Sequence, residues 1–288
     1  MNIPRSRSAP LDQADSFDPA PPAYAEPEPD GAEMSFVDHL EVLRWHVIRA
    51  AAAIVLFSTA AFLAKDILFH DIILAPSRPD FWTYRALCRL GALLHAEAGF
   101  CIDKLNFVIQ SREMSGQLAM HFSAAFTAGL ALGFPYAFWE LWRFVAPGLR
   151  PEERRNSRGA VFFVLGLLFG YYVAAPMSIN FLSSYQVDES IVNQIDIQSY
   201  VSTLTTMTLA CAFVFELPIV VFFLAKAGLV NAALMRQYRR HAIVVILIIA
   251  AVITPPDISA QIIVTIPILL LYEASIWIAK VVGKGVEG

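Results

Sequence analysis

From residue 50 onward the chain alternates long apolar stretches with short polar ones. The stretches that contain no Lys or Arg are 50–64, 118–141, 159–181, 199–225, 241–253 and 261–279. A bilayer core about 30 Å thick takes about 20 apolar helical residues. The second, third, fourth and sixth stretches reach that length as they stand. The first reaches it by starting near Trp45, because long side chains at a helix end can snorkel to the interface. The pattern therefore predicts an all-α integral membrane protein with spans at about 46–64, 118–141, 159–181, 199–225, 241–253 and 261–279. The fifth stretch has 13 residues and would rise only about 20 Å. Such a short helix either thins the bilayer or leaves a water-accessible gap beside it.

The flanks read differently. Residues 1–33 hold seven prolines and almost no large apolar side chains, so they cannot bury enough surface to offset ordering entropy and read as a disordered tail. No apolar core follows Arg5 and Arg7, which excludes a signal peptide. Residues 34–49 predict a helix: Ser35 and Asp38 stand in capping-box spacing, and Phe36, Leu40, Leu43 and Val47 form one stripe. The segment 65–117 is too long for a simple turn, and Phe81, Trp82, Tyr84, Leu87, Leu90, Leu93 and Leu94 predict a short amphipathic helix over the membrane exit. Residues 281–288 read as a short tail. No internal repeat is visible in the run lengths.

Composition sharpens the class. The chain is 57% apolar and 16% charged with a mean hydropathy of +0.56, well outside the soluble average. The first 33 residues carry seven acidic and two basic side chains, which leaves the remainder slightly basic, with nothing to suggest nucleic acid as a partner. Apart from the tail, thirteen Lys/Arg fall in 34–49, 142–158, 226–240 and 280–288, against six in 65–117, 182–198 and 254–260. The positive-inside rule then puts both termini in the cytoplasm.

No phosphate loop, nucleophile elbow or metal-spaced Cys or His set is present, so neither catalysis, a metal nor a cofactor is expected. Acidic residues in costly places stand out instead. Glu216 lies ten residues before Lys226, near the midplane of its span, where an ionised carboxylate costs at least about 2.5–3.5 kcal/mol to insert. It is read either as a neutral carboxyl serving a carbonyl freed near Pro218 or as a polar point in a substrate cleft. Glu273 is shallower and reads as structural. Glu153, among Arg150, Arg154, Arg155 and Arg158, either neutralises its neighbours or grips an incoming guanidinium. Asp257 is placed to cap the last helix. Cys88 and Cys101 share the external segment and can be bonded or free, while Cys211 reads as a packing residue.

Four separated motifs then resemble one family. His39–His46 (HLEVLRWH), Phe138–Leu149 (FWELWRFVAPGL) followed by Glu153-Arg154-Arg155, Phe215-Glu216-Leu217-Pro218, and Thr254-Pro255-Pro256-Asp257 with Gln261 occur in the order found in TatC, the polytopic subunit of the twin-arginine (Sec-independent) protein translocase. The resemblance covers about residues 34–280. It implies a curved, glove-like wall of six helices with a concave face, in agreement with the short fifth stretch. It also implies a receptor for twin-arginine signal peptides that, with single-span TatA- and TatB-type partners and in more than one copy, exports folded proteins across the inner membrane on the proton-motive force. By the same analogy Glu153 contacts the arginines and Phe144, Pro147 and Leu149 shape its loop. Glu216 lies in the concave cleft, while Pro76, Asp257 and Gln261 lie on the external side.

One position departs from the pattern. The second Glu of the family's HLEELR is Val42 here, while Glu41 matches the first and Arg44 the terminal Arg. Asp38, one helical turn before Val42, lies on the face of the missing carboxylate. Either Asp38 or Glu41 supplies the second charge, or Glu153 acts alone. A secondary transporter for a small solute is the rival reading, but the paired halves usual in such folds are missing from the sequence.

Overall fold

The computed structural model describes residues 36–93, 101–102, 107–145, 159–188 and 193–286. The chain divides into residues 1–39 and 40–288, and the packing below is that of the second part. Helix α1 (Phe36–Leu63) is continuous. The helix expected at 34–49 and the first span are therefore one rod, because Arg49 leads into four alanines, the best helix formers, with no breaker between. A wide turn (Ile67–Ile73) and a 3-10 turn (Ala75–Ser77) lead to α2 (Trp82–Leu93), the amphipathic helix of the first connecting segment. Strand β1 (Val108–Gln110) precedes α3 (Gly116–Val145), the second span.

The third span is composite: α4 (Gly159–Phe169), a π turn (Gly170–Ala174) and α5 (Ala175–Ser184). Pro176, at the start of α5, cannot donate to the carbonyl of Tyr172 four residues back. That carbonyl instead accepts the Thr83 hydroxyl from α2, so the defect in the span is also what anchors the connecting segment. Strand β2 (Gln194–Asp196) pairs in parallel with β1, Ile109 opposite Ile195. The fourth span is α6 (Ile197–Val214) and α7 (Leu217–Lys226), broken at Phe215–Glu216 just before Pro218. Asp196 caps α6, its Oδ1 accepting from the Gln198 amide at 3.1 Å. After the short α8 (Ala232–Gln237) come α9 (Arg239–Ile253) and α10 (Ile258–Val286). The last helix runs past the expected end of the span at 279, so most of the stretch expected as a tail is helical.

Among the described residues, five helical stretches are long and apolar enough to cross a membrane: Glu41–Leu63, Gly116–Phe144, Ala160–Ser184, Ile197–Lys226 and Ile258–Val282. The remaining apolar run, the fifth, is α9, whose 15 residues rise about 22 Å. It falls short for the reason its sequence gives. Many apolar side chains face outward, Leu56, Val252, Ile258 and Leu270 each by more than three fifths. In water such a surface would aggregate; in a bilayer it is the solvated face.

Where helices touch, small residues make the contact, as expected where lipid removes the hydrophobic drive between helices. A Cβ on Gly129 of α3 would lie 2.0 Å from Ser58 Oγ of α1, and one on Gly166 of α4 would lie 2.6 Å from the Cys211 carbonyl of α6. Neither position admits a side chain without separating the helices. At the end predicted to be external, three tyrosines satisfy backbone carbonyls of the turns after α1. Tyr84 donates to Pro76 O at 2.9 Å, Tyr171 to Ile72 O at 2.7 Å and Tyr200 to Ile73 O at 2.8 Å. Burial pushes the Tyr84 hydroxyl above the usual phenol range, so it stays a donor.

Candidate functional site

The opposite end, where α1 begins its apolar stretch and α3 finishes, gathers a charged cluster. Glu140 of α3 is 1% exposed and both its carboxyl oxygens are bonded. His46 Nδ1 of α1 lies 2.5 Å from Oε2, and the Tyr136 hydroxyl donates to Oε1 at 2.9 Å. Arg49 and Arg143 stand farther off, each with Nη1 3.9 Å from a carboxyl oxygen. Arg143 also lies over the Trp139 ring, 4.9 Å from its centroid. A buried carboxyl is tolerated when its lone pairs are filled and opposite charge is near; both conditions hold here.

The same end of α3 is held on another side by apolar packing. Phe138 and Trp142 are buried against Phe134, Ala160, Ile219 and Phe223, with the Trp142 and Phe223 rings 5.8 Å apart. Phe144, two residues on from Trp142, has its ring 6.1 Å from that of His46. So α1 and α7 grip the last two turns of α3 from different directions, immediately before the segment 146–158.

That segment carries Pro147, Leu149 and Glu153, which lie outside the described residues. Asp38 sits in the first turn of α1, and its side chain is likewise not described. Glu41 and Arg44 are exposed, Arg44 packing over Trp45 with its guanidinium carbon 5.8 Å from the ring centroid. Val42, at the departing motif position, is 40% exposed. The structure thus brings together Phe144, His46 and Glu140. Sequence reasoning passed over His46 and Glu140 as functional groups, although a Glu inside a run otherwise free of charge was the available signal.

Glu216 lies at the break of the fourth span and is 7% exposed. Among the described residues no group meets hydrogen-bond geometry to either of its oxygens, although the backbone of Phe163 on α4 is near enough to act on it. The reading in which it serves a freed carbonyl near Pro218 therefore has no hydrogen bond behind it. A cavity of about 340 Å³ between α3, the third span and α6, roofed by Asp71 and Ile72, does not include Glu216 among its lining residues. Glu273 does take a structural part, accepting from Arg239 Nη2 at 2.5 Å.

On the other face, Asp257 caps α10: Oδ1 accepts from the Ser259 amide at 2.8 Å and Oδ2 from the Ala260 amide at 3.2 Å. Gln261 reaches back to Leu247 O at 3.3 Å. Pro76 is buried in its turn beneath Tyr84. Cys88 and Cys101 are joined as a disulfide with Cα atoms 4.3 Å apart, and Cys211 is a free, buried thiol. Among the described residues no three His, Cys, Asp or Glu side chains are grouped to hold a metal ion.

These features define a polytopic helical membrane protein whose conspicuous polar chemistry is a buried acid–base cluster at one end and a lone acid at mid-span. A sequence model described as "Sec-independent protein translocase protein (TatC)" matches residues 38–267. The chain belongs to the TatC family. It is similar to the TatC proteins of Blattabacterium (strain BPLAN), at 36% identity over 88% of this chain and 97% of the relative, and of Deinococcus radiodurans, at 33% over 88% of each. A Helicobacter pylori TatC is 42% identical over 55% of this chain and 65% of its own length. Among solved structures, a crystal structure of the twin-arginine translocase receptor TatC superposes with a TM-score of 0.63 at 25% identity, covering 85% of this chain and 99% of that one. A second, in the detergent DDM, gives 0.65 at 25% identity, covering 84% and 99%.

Proposed function

We propose that this translocase subunit is the receptor for twin-arginine signal peptides, and that it reads them at the end where α1 and α3 meet. Glu153 takes the arginine pair, with a second acid from Asp38 or Glu41. Phe144, Pro147 and Leu149 shape the segment around them. That end faces the cytoplasm of a cell with both chain termini on the same side, as the distribution of Lys and Arg supports. The observation that carries the reading is the family match across 38–267, supported by the packing that holds the end of α3, after which the segment with Glu153 follows in the sequence. A carboxylate offers a guanidinium two parallel hydrogen bonds, which no neutral side chain reproduces.

The peptide's apolar stretch then lies along the spans toward Glu216, whose unfilled oxygens leave it free to meet a polar group of the passing chain. Single-span TatA- and TatB-type subunits, several copies of this chain and the proton-motive force complete the export of folded cargo. The subunit itself carries out no covalent chemistry. Photo-crosslinkers placed one at a time at 38–44, 144–155 and, as a control, 254–260 test this. Adducts with a twin-arginine peptide are expected in the first two segments and absent from the third. Adducts confined to the third would reverse the assignment.

A further inference from the structure

Arg49 directly precedes the apolar stretch 50–64, and Arg143 follows the stretch 118–141 by two residues. Helices α1 and α3 thus each bring one guanidinium to the boundary between hydrocarbon and lipid headgroups. The two converge on a single carboxyl. Arg49 Nη1 lies 3.9 Å from Glu140 Oε2 and Arg143 Nη1 lies 3.9 Å from Oε1, beyond hydrogen-bond reach. The near positions are already filled by His46 Nδ1 and the Tyr136 hydroxyl. Both guanidiniums therefore offset the charge of Glu140 while their forked N–H donors stay available, and both side chains are 51% exposed. Two cations against one anion leave an excess of positive charge at this point of the surface.

The surroundings fit a lipid better than a free ion. Tyr136, Trp139, Glu140 and Arg143 recur at helical spacing along one face of α3. The Tyr136 and Trp139 rings lie 5.9 Å apart, and the Arg143 guanidinium sits 4.9 Å over the Trp139 ring. Both rings are partly exposed, as is Trp45, one turn before Arg49 on α1. Aromatic rings at this depth present apolar surface to the glycerol and upper acyl carbons of a lipid whose phosphate sits one step farther out. Basic groups gathered between membrane helices recognise anionic headgroups in this way, and the guanidinium fork matches phosphate oxygens.

We propose that Arg49 and Arg143, drawn together by Glu140, bind the phosphate of an anionic phospholipid, with Trp139, Tyr136 and Trp45 against its glycerol and acyl region. The excess positive charge selects against zwitterionic headgroups, whose ammonium it repels. None of the side chains proposed to meet a signal peptide takes part. One lipid held in this way ties α1 to α3, which suits a helix with no fully buried side chain over residues 41–63.

Native mass spectrometry of the full chain, titrated in detergent with phosphatidylglycerol or phosphatidylcholine, tests the site. The wild type should bind one phosphatidylglycerol about tenfold more tightly than phosphatidylcholine. Arg49→Gln and Arg143→Gln should each reduce that preference at least threefold, and the double variant should abolish it. Arg239→Gln removes an equally exposed arginine elsewhere and should leave the preference unchanged. A wild type without preference, or a folded double variant that keeps it, would overturn the proposal. Displacement of the lipid by inorganic phosphate at equal concentration would also overturn it, since the site would then serve a free anion. Should the double variant fail to fold, the wild type decides. A phosphatidylglycerol with a photoreactive group near its glycerol should label 45–49 and 136–143 more strongly than the basic segment 236–240. Equal labelling of the three would overturn the assignment.

Discussion

Glu140 and Glu216 are the same side chain in nearly the same burial, 1% and 7% exposed, and they are treated in opposite ways. Glu140 has a partner for each oxygen and two guanidinium groups 3.9 Å away. Glu216 has no hydrogen-bond partner among the described residues. A buried acid that is fully satisfied contributes to one arrangement of the helices; a buried acid left unsatisfied lowers stability and is kept for something else. On the function proposed above, the comparison separates a fixed end of the molecule from a part left open to the passing peptide.

The largest effect that would break this contrast is on stability at Glu140. Replacing His46 with Leu leaves a buried carboxyl without its nearest donor, and breaking a buried pair in this way costs about 3–5 kcal/mol. The melting temperature in detergent should fall clearly, and His46→Leu with Glu140→Leu should recover most of it, since an apolar pair of similar volume is close to neutral. A double variant as unstable as the single would mean that the pair is not the unit described. Glu216→Leu should do the reverse, leaving thermal stability unchanged or raising it by about 1–3 kcal/mol while export of a tagged folded reporter falls. In the same export assay Glu216→Gln should be tolerated better than Glu216→Ala.

Gly129→Val forces a side chain into Ser58 of α1, and overpacking of this kind costs about 1–3 kcal/mol. It should loosen α1 and thereby weaken the Glu140 arrangement without touching Glu216, which disulfide trapping between α1 and α3 can follow. The smallest effects belong to positions outside the contrast. Asp257→Ala removes a helix cap worth about 1 kcal/mol. Arg239→Ala removes a half-exposed ion pair worth about 0–1 kcal/mol, within the scatter of a melting curve.

The membrane spans were legible because a bilayer imposes a length that composition alone must meet, and α9 was legible as short for the same reason. The N-cap at Asp257 could be read because it acts over three residues. The continuity of α1 was not, since a polar helix and an apolar one differ in pattern even when no breaker divides them. Nor was the division of the fourth span at Phe215–Glu216: Pro218 was visible, but where a helix yields ahead of a proline depends on its neighbours. The β1–β2 ladder and the Glu140–His46 contact join residues 86 and 94 positions apart, and local spacing carries no record of such pairings. Of the candidate site, the chain alone showed Glu216 and the aromatic segment; Glu140 as a held acid, and His46 as what holds it, required the packing of α1 on α3.

The measurement that bears most directly on the receptor reading is the affinity of a twin-arginine peptide for the reconstituted full chain, compared between wild type and Glu153→Ala. A charge-assisted contact contributes about 1.5–3 kcal/mol, so the account predicts binding weakened about tenfold or more, with a smaller loss when the peptide carries lysines in place of arginines. Equal affinity of the two proteins for the arginine peptide would contradict it.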